Sequence, residues 1–263
     1  QFLKAHSVDA PTVLAYWPFA RGNEKTDASG HGFSLALKSP SDVNFKDGAA
    51  DFFGHSGLYT STRFDLSSFK TVTIEGFFKS NFTNGSPILV ELSQNYNGPA
   101  GTFCLSAGMF TNNAMGAGFK TTTGYNIETA AQGAFANGVW HHIAYVIDLT
   151  VTNGTDRARL YLDKVRQNKT NNSSTGNTPF VSDQQLFLGW RGSSADWNFI
   201  GDMDDVRITT AALSTNEFLN PSLRTEEPLT NRVIAYWTFD TTNGFADATG
   251  HGNTLTGGGV VFT

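Results

Sequence analysis

One phrase of this 263-residue chain occurs twice, and its second copy is cut short. VLAYWPF from Val13, followed by DASGHG, returns as VIAYWTF from Val233, followed by DATGHG. Tyr16 and Tyr236, Trp17 and Trp237, and Asp27 and Asp247 are each 220 residues apart. A period that long spaces domains, because stacked repeats recur at roughly 20–50 residues. The first copy precedes about 180 residues of strand-like sequence, whereas the second ends at Thr263 after GGGVVFT, which resembles SDVNFKDG at 41–48. The expected organisation is one complete domain, 1–225, and the opening strands of a second repeat, 226–263. So short a piece cannot bury enough apolar surface to fold alone. It is expected to pair with strands of its own chain or of another copy, which makes self-association one outcome.

Short apolar or alternating runs separated by Gly, Asn, Asp and Ser are the pattern of an antiparallel sandwich or barrel. The predicted strands are 13–19, 33–37, 49–53, 71–79, 87–92, 103–107, 115–120, 141–148, 157–162, 185–189 and 202–208. Residues 81–86 and 151–156 read as polar hairpin tips and 168–178 as a longer loop. Ser214-x-x-Glu217 has capping-box spacing on a single turn. Twenty-two Phe and five Trp can fill a wide core, while charged residues make up 16% of the chain against roughly 25% in typical domains. A net charge of −5 without a Lys/Arg cluster argues against a nucleic-acid partner. Cys104 is the single cysteine, so no intramolecular disulfide forms, and it reads as a small buried hydrophobe. No run approaches the roughly 20 apolar residues of a membrane span. The start at Gln1, without Met, reads as a processed or shortened end.

The order AYWPF, DASGHG, VNFKDG, TVTIEGFFK, VWHHIAYVID, ARLYLDK, LFLGW and GDMDDVRI, then AALSTNEF, resembles the laminin-G-like group of the concanavalin A-like lectin/glucanase superfamily. The resemblance runs over about 13–220. It implies an all-β fold, a two-sheet antiparallel jelly-roll sandwich with one concave and one convex face. It also implies an extracellular or cell-surface setting and the binding of sugars or protein partners, frequently with calcium.

That superfamily holds both glycosidases and binders, so particular residues must decide. Retaining hydrolysis needs two carboxyl groups about 5–5.5 Å apart, and the glucanases resembling this fold carry them as Glu-x-Asp-x-x-Glu on one strand. The pattern is absent here, and Glu75 and Glu91 stand alone in their strands. Both are expected to be polar residues on a solvated or concave face, and the chain is expected not to be an enzyme. The six histidines lack the spacing of a zinc site. His141 and His142 must point to opposite faces of their strand, one at the core edge and the other exposed. Trp17, Trp140 and Trp237 read as core.

Sugar rings offer apolar C–H faces and hydroxyls, so their sites combine an exposed aromatic with polar donors and acceptors. The connection WRGSSADWN supplies Trp190, Arg191, Asp196, Trp197 and Asn198, and QNYNG supplies Asn95, Tyr96 and Asn97. One of Trp190 and Trp197 has a second reading as a core plug. Calcium takes hard oxygens from carboxylates and from carbonyls exposed at Gly turns. The resemblance implies Asp204 with the Gly48 carbonyl as its ligands, and Asp27 as a third candidate with an alternative role in an Asx-turn. Asp204 or Asp205 could instead pair with Arg207 or cap a turn. The expected function is a non-catalytic recognition module of a larger secreted or cell-surface protein, binding glycan or an extracellular protein. The alternatives are an architectural or adhesive repeat without a small-molecule ligand and, third, a glycoside hydrolase.

Overall fold

The computed structural model describes residues 13–81, 85–93, 98–109, 114–129, 135–151, 154–167, 169–172, 178–193, 197–220 and 254–255. The strands are β1 (Val13–Trp17), β2 (Leu35–Leu37), β3 (Val43–Lys46), β4 (Ala49–Phe53), β5 (Leu58–Thr60), β6 (Thr71–Lys79), β7 (Ile88–Leu92) and β8 (Phe103–Met109). They continue as β9 (Ala114–Lys120), β10 (Tyr125–Thr129), β11 (Trp140–Asp148), β12 (Ala158–Leu162), β13 (Val165–Arg166), β14 (Lys169–Asn172), β15 (Leu186–Leu188) and β16 (Ile200–Thr209). A single helical turn, α1 (Gly154–Arg157), separates β11 from β12. The chain divides into two compact units, Gln1–Pro221 and Ser222–Thr263. Apart from residues 254–255, the predicted second repeat lies outside the described residues.

The first unit is a sandwich of two antiparallel sheets. Sheet A runs β13-β12-β11-β6-β16-β4-β3, with β1 also on β16, and sheet B runs β14-β10-β9-β8-β7-β15-β5-β2. Strand β16 serves two neighbours on one edge: Ile200–Met203 pair with β4, and Val206–Thr209 pair with β1. A bulge between Asp204 and Arg207 marks the change, with Asp205 in the left-handed region at φ 49°. Alternation sorts the faces. In β6, Val72, Ile74 and Phe78 enter the core with Trp17, Phe52, Phe119 and Tyr145, which leaves Thr73, Glu75 and Phe77 on the outer side. Each fully buried aliphatic or aromatic side chain contributes about 1.5–3 kcal/mol.

Segment 211–219 folds over part of the outer face of sheet A. Leu213 and Phe218 pack on Ala144 and Val146, and the Thr73 hydroxyl donates to Ala211 O at 2.6 Å and accepts from Leu213 N–H at 3.1 Å. Glu75 anchors the same segment. Its carboxylate accepts from His142 Nε2 (2.8 Å), Arg207 Nε (2.9 Å) and the Leu219 N–H (2.9 Å). Ser214 and Glu217 do meet as a capping pair, Glu217 Oε2 taking the Ser214 N–H at 2.8 Å, but on a turn and not a helix.

All eleven predicted strands form, with β4 and β6 at the predicted bounds. Residues 81–86 do not join a hairpin, because β6 and β7 belong to different sheets. Within 168–178, read as loop, β14 forms and pairs with β10. Glu75 is not solvated but has no exposed surface. His141 and His142 do face opposite ways, yet both are buried: His141 bonds Asp163 and Asn137, and His142 bonds Glu75. Trp17 is core, whereas Trp140 is half-buried on the outer face of sheet A with the Lys79 ammonium 5.1 Å from its ring centroid.

Candidate functional site

The outer face of sheet B carries a row that follows from strand register alone. Gly118, Cys104, Glu91, Phe187, Tyr59 and Ala36 stand opposite one another on β9, β8, β7, β15, β5 and β2. A bulge in β7 between Ile88 and Val90 turns Glu91 outward while Val90 and Leu92 face the core. Glu91 is nonetheless only 1% exposed. Arg191, from the predicted WRGSSADWN connection, lies against it.

Trp190 packs closely on the sheet because glycines flank it. Gly189 is left-handed (φ 78°), and a Cβ there would collide with the Phe52 ring. A Cβ at Gly192 would strike Phe187. Trp190 is therefore pressed edge-on to Phe187, ring centroids 5.5 Å apart, with Nε1 donating to Leu58 O at 3.0 Å. It is the buried plug of the pair. Trp197 is instead 42% exposed, and the Arg191 guanidinium carbon lies 5.0 Å from its ring centroid. Arg191 Nε donates to Glu91 Oε2 at 3.2 Å, so a buried carboxylate steadies the cation that braces the exposed ring. Such a contact is worth roughly 0.5–2 kcal/mol. The Asn198 amide donates to Gly54 O at 3.3 Å. Beside this loop opens a rim cleft of about 440 Å3, lined by Lys38, His55, Ser56, Trp190, Ser193 and Asn198, a size within the usual range of ligand pockets.

Trp190, Arg191, Trp197 and Asn198 are thus brought together, while Asp196, Asn95, Tyr96 and Asn97 lie outside the described residues. Sequence reasoning missed Phe187, Tyr59 and the role of Glu91. One signal was present: a glutamate inside an apolar run must find a cation, although Arg191 is 100 residues away.

Glu91 Oε1 is buried and has no hydrogen-bond partner among the described residues. Burial pushes the carboxyl up to about 7, with Arg191 opposing. Burial, and secondarily Glu91, drive the Cys104 thiol upward as well. Ser93, two residues past Glu91, holds φ at 123°, the kind of strained backbone that surrounding structure must enforce. A pH dependence follows. The folded value stands above the ordinary 4.5, so the stability linked to protonated Glu91 is complete below about 4.5 and lost as pH rises through about 7. Glu91→Gln keeps an oxygen for Arg191 without the charge. Its stability relative to the native chain is expected to improve by roughly 2–3 kcal/mol between pH 4.5 and 8; parallel urea-unfolding curves across that range would contradict the assignment.

The calcium candidates separate. Asp27 accepts the backbone N–H groups of Tyr16 (3.0 Å), Ser29 (2.9 Å) and Phe33 (3.0 Å). Burial alone would raise this carboxyl, but hydrogen bonds from Ser29, Phe33 and Tyr16 overcome it and hold it below its ordinary value. Gly48 (φ 70°) follows Asp47 (φ 52°) in the tight β3–β4 turn. Asp204 stands one residue beyond the Met203–Ala50 pair, so Asp204 and the Gly48 turn share one end of sheet A. Asp204 Oδ1 accepts the Asp205 N–H at 2.7 Å. Among the described residues, no group of three or more His, Cys, Asp or Glu side chains is placed to hold a metal, and no helix is long and apolar enough to cross a membrane.

Solved structures repeat this architecture at low identity. Domain 4 of AbnA, an extracellular GH43 arabinanase from Geobacillus stearothermophilus solved with arabinotriose, superposes with a TM-score of 0.59 at 16% identity, covering 79% of this chain and 96% of that one. Botulinum neurotoxin type C, described as entering cells through two ganglioside molecules, gives 0.54 at 10% identity over 78% of this chain and 49% of that one. The serotype D binding domain gives 0.54 at 9% over the same shares. No curated protein sequence matches. A family model for Laminin_G_3 covers residues 53–218, and the chain belongs to the concanavalin A-like lectin/glucanases superfamily.

Proposed function

We propose that this chain is a non-catalytic carbohydrate-recognition module of a larger secreted or cell-surface protein. The observation that carries the reading is the exposed Trp197 ring, braced by Arg191 on buried Glu91, on the connection whose Trp190 and Asn198 line a rim cleft. An indole presented this way stacks on the C–H face of a sugar. Similar folds solved with arabinotriose or described with gangliosides support the choice of ligand class. Against hydrolysis stands the setting of Glu91, whose cross-strand neighbours are Cys104 and Phe187 and not a second carboxylate. A glycan array read alongside a reducing-end assay tests both halves. Retention of one oligosaccharide class without new reducing ends is expected. Binding to nothing would favour the architectural repeat, and new reducing ends would overturn the non-catalytic reading.

Calcium belongs to the proposal as a structural ion at Asp204 and the Gly48 carbonyl, where a carboxylate and a turn carbonyl suit its preference for hard oxygens. Asp27 supplies its turn and not a ligand in this reading. Calcium is expected to raise Tm, and Asp204→Asn to abolish the rise. Superimposable melting curves in calcium and in chelator would remove the ion from the account.

A further inference from the structure

The outer face of sheet A carries a second row. Asn44, Asp51, Asp202, Lys79 and Trp140 stand directly opposite one another on β3, β4, β16, β6 and β11, five adjacent strands. Segment 211–219 covers the neighbouring Glu75–His142 region of this face, but the row itself reaches solvent. Its two carboxylates are each held by an ammonium, Asp51 by Lys46 at 2.6 Å and Asp202 by Lys79 at 3.0 Å. The carboxylates are 15% and 14% exposed and the lysines 52% and 30%, so donors and acceptors alternate at an accessible surface. Along one side lies a cleft of about 370 Å3, lined among others by Asp51, Phe53, Lys79, Asn81, Ile200 and Asp202. Phe53 and Ile200, paired across β4 and β16, are 45% and 41% exposed. Large apolar side chains paired in the open at a polar cleft mark an interaction site.

We propose that this row is a second binding site, for a linear neutral oligosaccharide, so that the domain holds sugar on both outer faces. Its charges cancel in pairs, and a ligand of either sign gains nothing from them. A polyol, by contrast, can donate to Asp51 and Asp202, accept from Lys79, and lay C–H faces on Phe53, Ile200 and Trp140. Four inter-strand steps make the row about 19 Å long, the reach of a chain of sugar rings and not of one ring. Two sites on opposite faces bridge separate polysaccharide strands and multiply avidity without new contacts. The inference rests on the carbohydrate reading of the module but not on the Trp197 loop.

The test removes the first site before looking for the second. Trp197→Ala is titrated calorimetrically with arabino-, xylo- and cello-hexasaccharides, beside the native chain and a triple variant that adds Phe53→Ala and Asp202→Asn. The expected result is that one of the three sugars still binds Trp197→Ala and loses at least about tenfold in affinity in the triple variant, whose circular dichroism and melting stay native-like. Binding by the native chain with none by Trp197→Ala would overturn the second site and leave the proposed function standing. Silence from the native chain would overturn both. Concentration-dependent dimerisation abolished by Phe53→Ala would assign the patch to a second copy of the chain and overturn the sugar assignment.

Discussion

Alanine at position 75 is expected to destabilise the domain by roughly 3–5 kcal/mol, the cost of leaving buried partners of a removed charge uncompensated. Glu75 has no exposed surface and holds three donors at once: the His142 ring, the Arg207 guanidinium and the Leu219 N–H. His142 is itself fully buried at its side chain, and its Nδ1 has no partner among the described residues, so the alanine variant strands both ring nitrogens. The Leu219 amide loses its acceptor, and segment 211–219 keeps only Thr73 and the packing of Leu213 and Phe218. Glu75→Gln retains one acceptor oxygen and is expected to fall between the two. Burial would raise the Glu75 carboxyl, but the His142 hydrogen bond and the Arg207 charge overcome it and keep it below its ordinary value of 4.5. Its contribution is therefore present above that value and lost as pH falls through the folded one. Urea unfolding at neutral pH should show a lower midpoint with an unchanged slope. A loss under about 1 kcal/mol would mean that the cluster is not what fastens the segment.

The second large effect concerns binding. Trp197→Ala is expected to weaken oligosaccharide affinity about 30-fold or more, the loss of a central aromatic anchor of roughly 2 kcal/mol, at little cost in stability. The ring is 42% exposed, and the structural bond at this position, Ile88 N–H to Trp197 O at 2.8 Å, uses the backbone and survives. Arg191→Lys should fall in the same direction, because an ammonium cannot lie flat on the indole while it bonds Glu91. Equal affinities for the native and Trp197→Ala chains in calorimetry would move the ligand away from this loop.

The sandwich was legible where strands carry strong apolar runs, as in β4, β6 and β11, whose residues meet the core in alternation. The missed strands have other reasons. KTNN of β14 is a polar piece at one end of sheet B, formed by long-range pairing with β10 and not by its own propensity, while YNIET of β10 is a short strand in a hairpin with β9. β5 and β13 are too short to show a period. The loop from Trp190 to Asn198 was legible as an aromatic, polar connection. Its buried foundation was not, since the Glu91–Arg191 and Glu75–Arg207 pairs join residues 100 and 132 positions apart. The outer row of sheet A was invisible for the same reason, because it exists only in the register of five strands.

The most direct test of the recognition surface is the indole N–H spectrum of the native chain titrated with the oligosaccharide that the array selects. Trp197 is expected to shift progressively, while Trp17, whose Nε1 is fixed to Phe33 O at 2.8 Å inside the core, stays in place. Saturating ligand that leaves the Trp197 resonance unmoved would contradict the account.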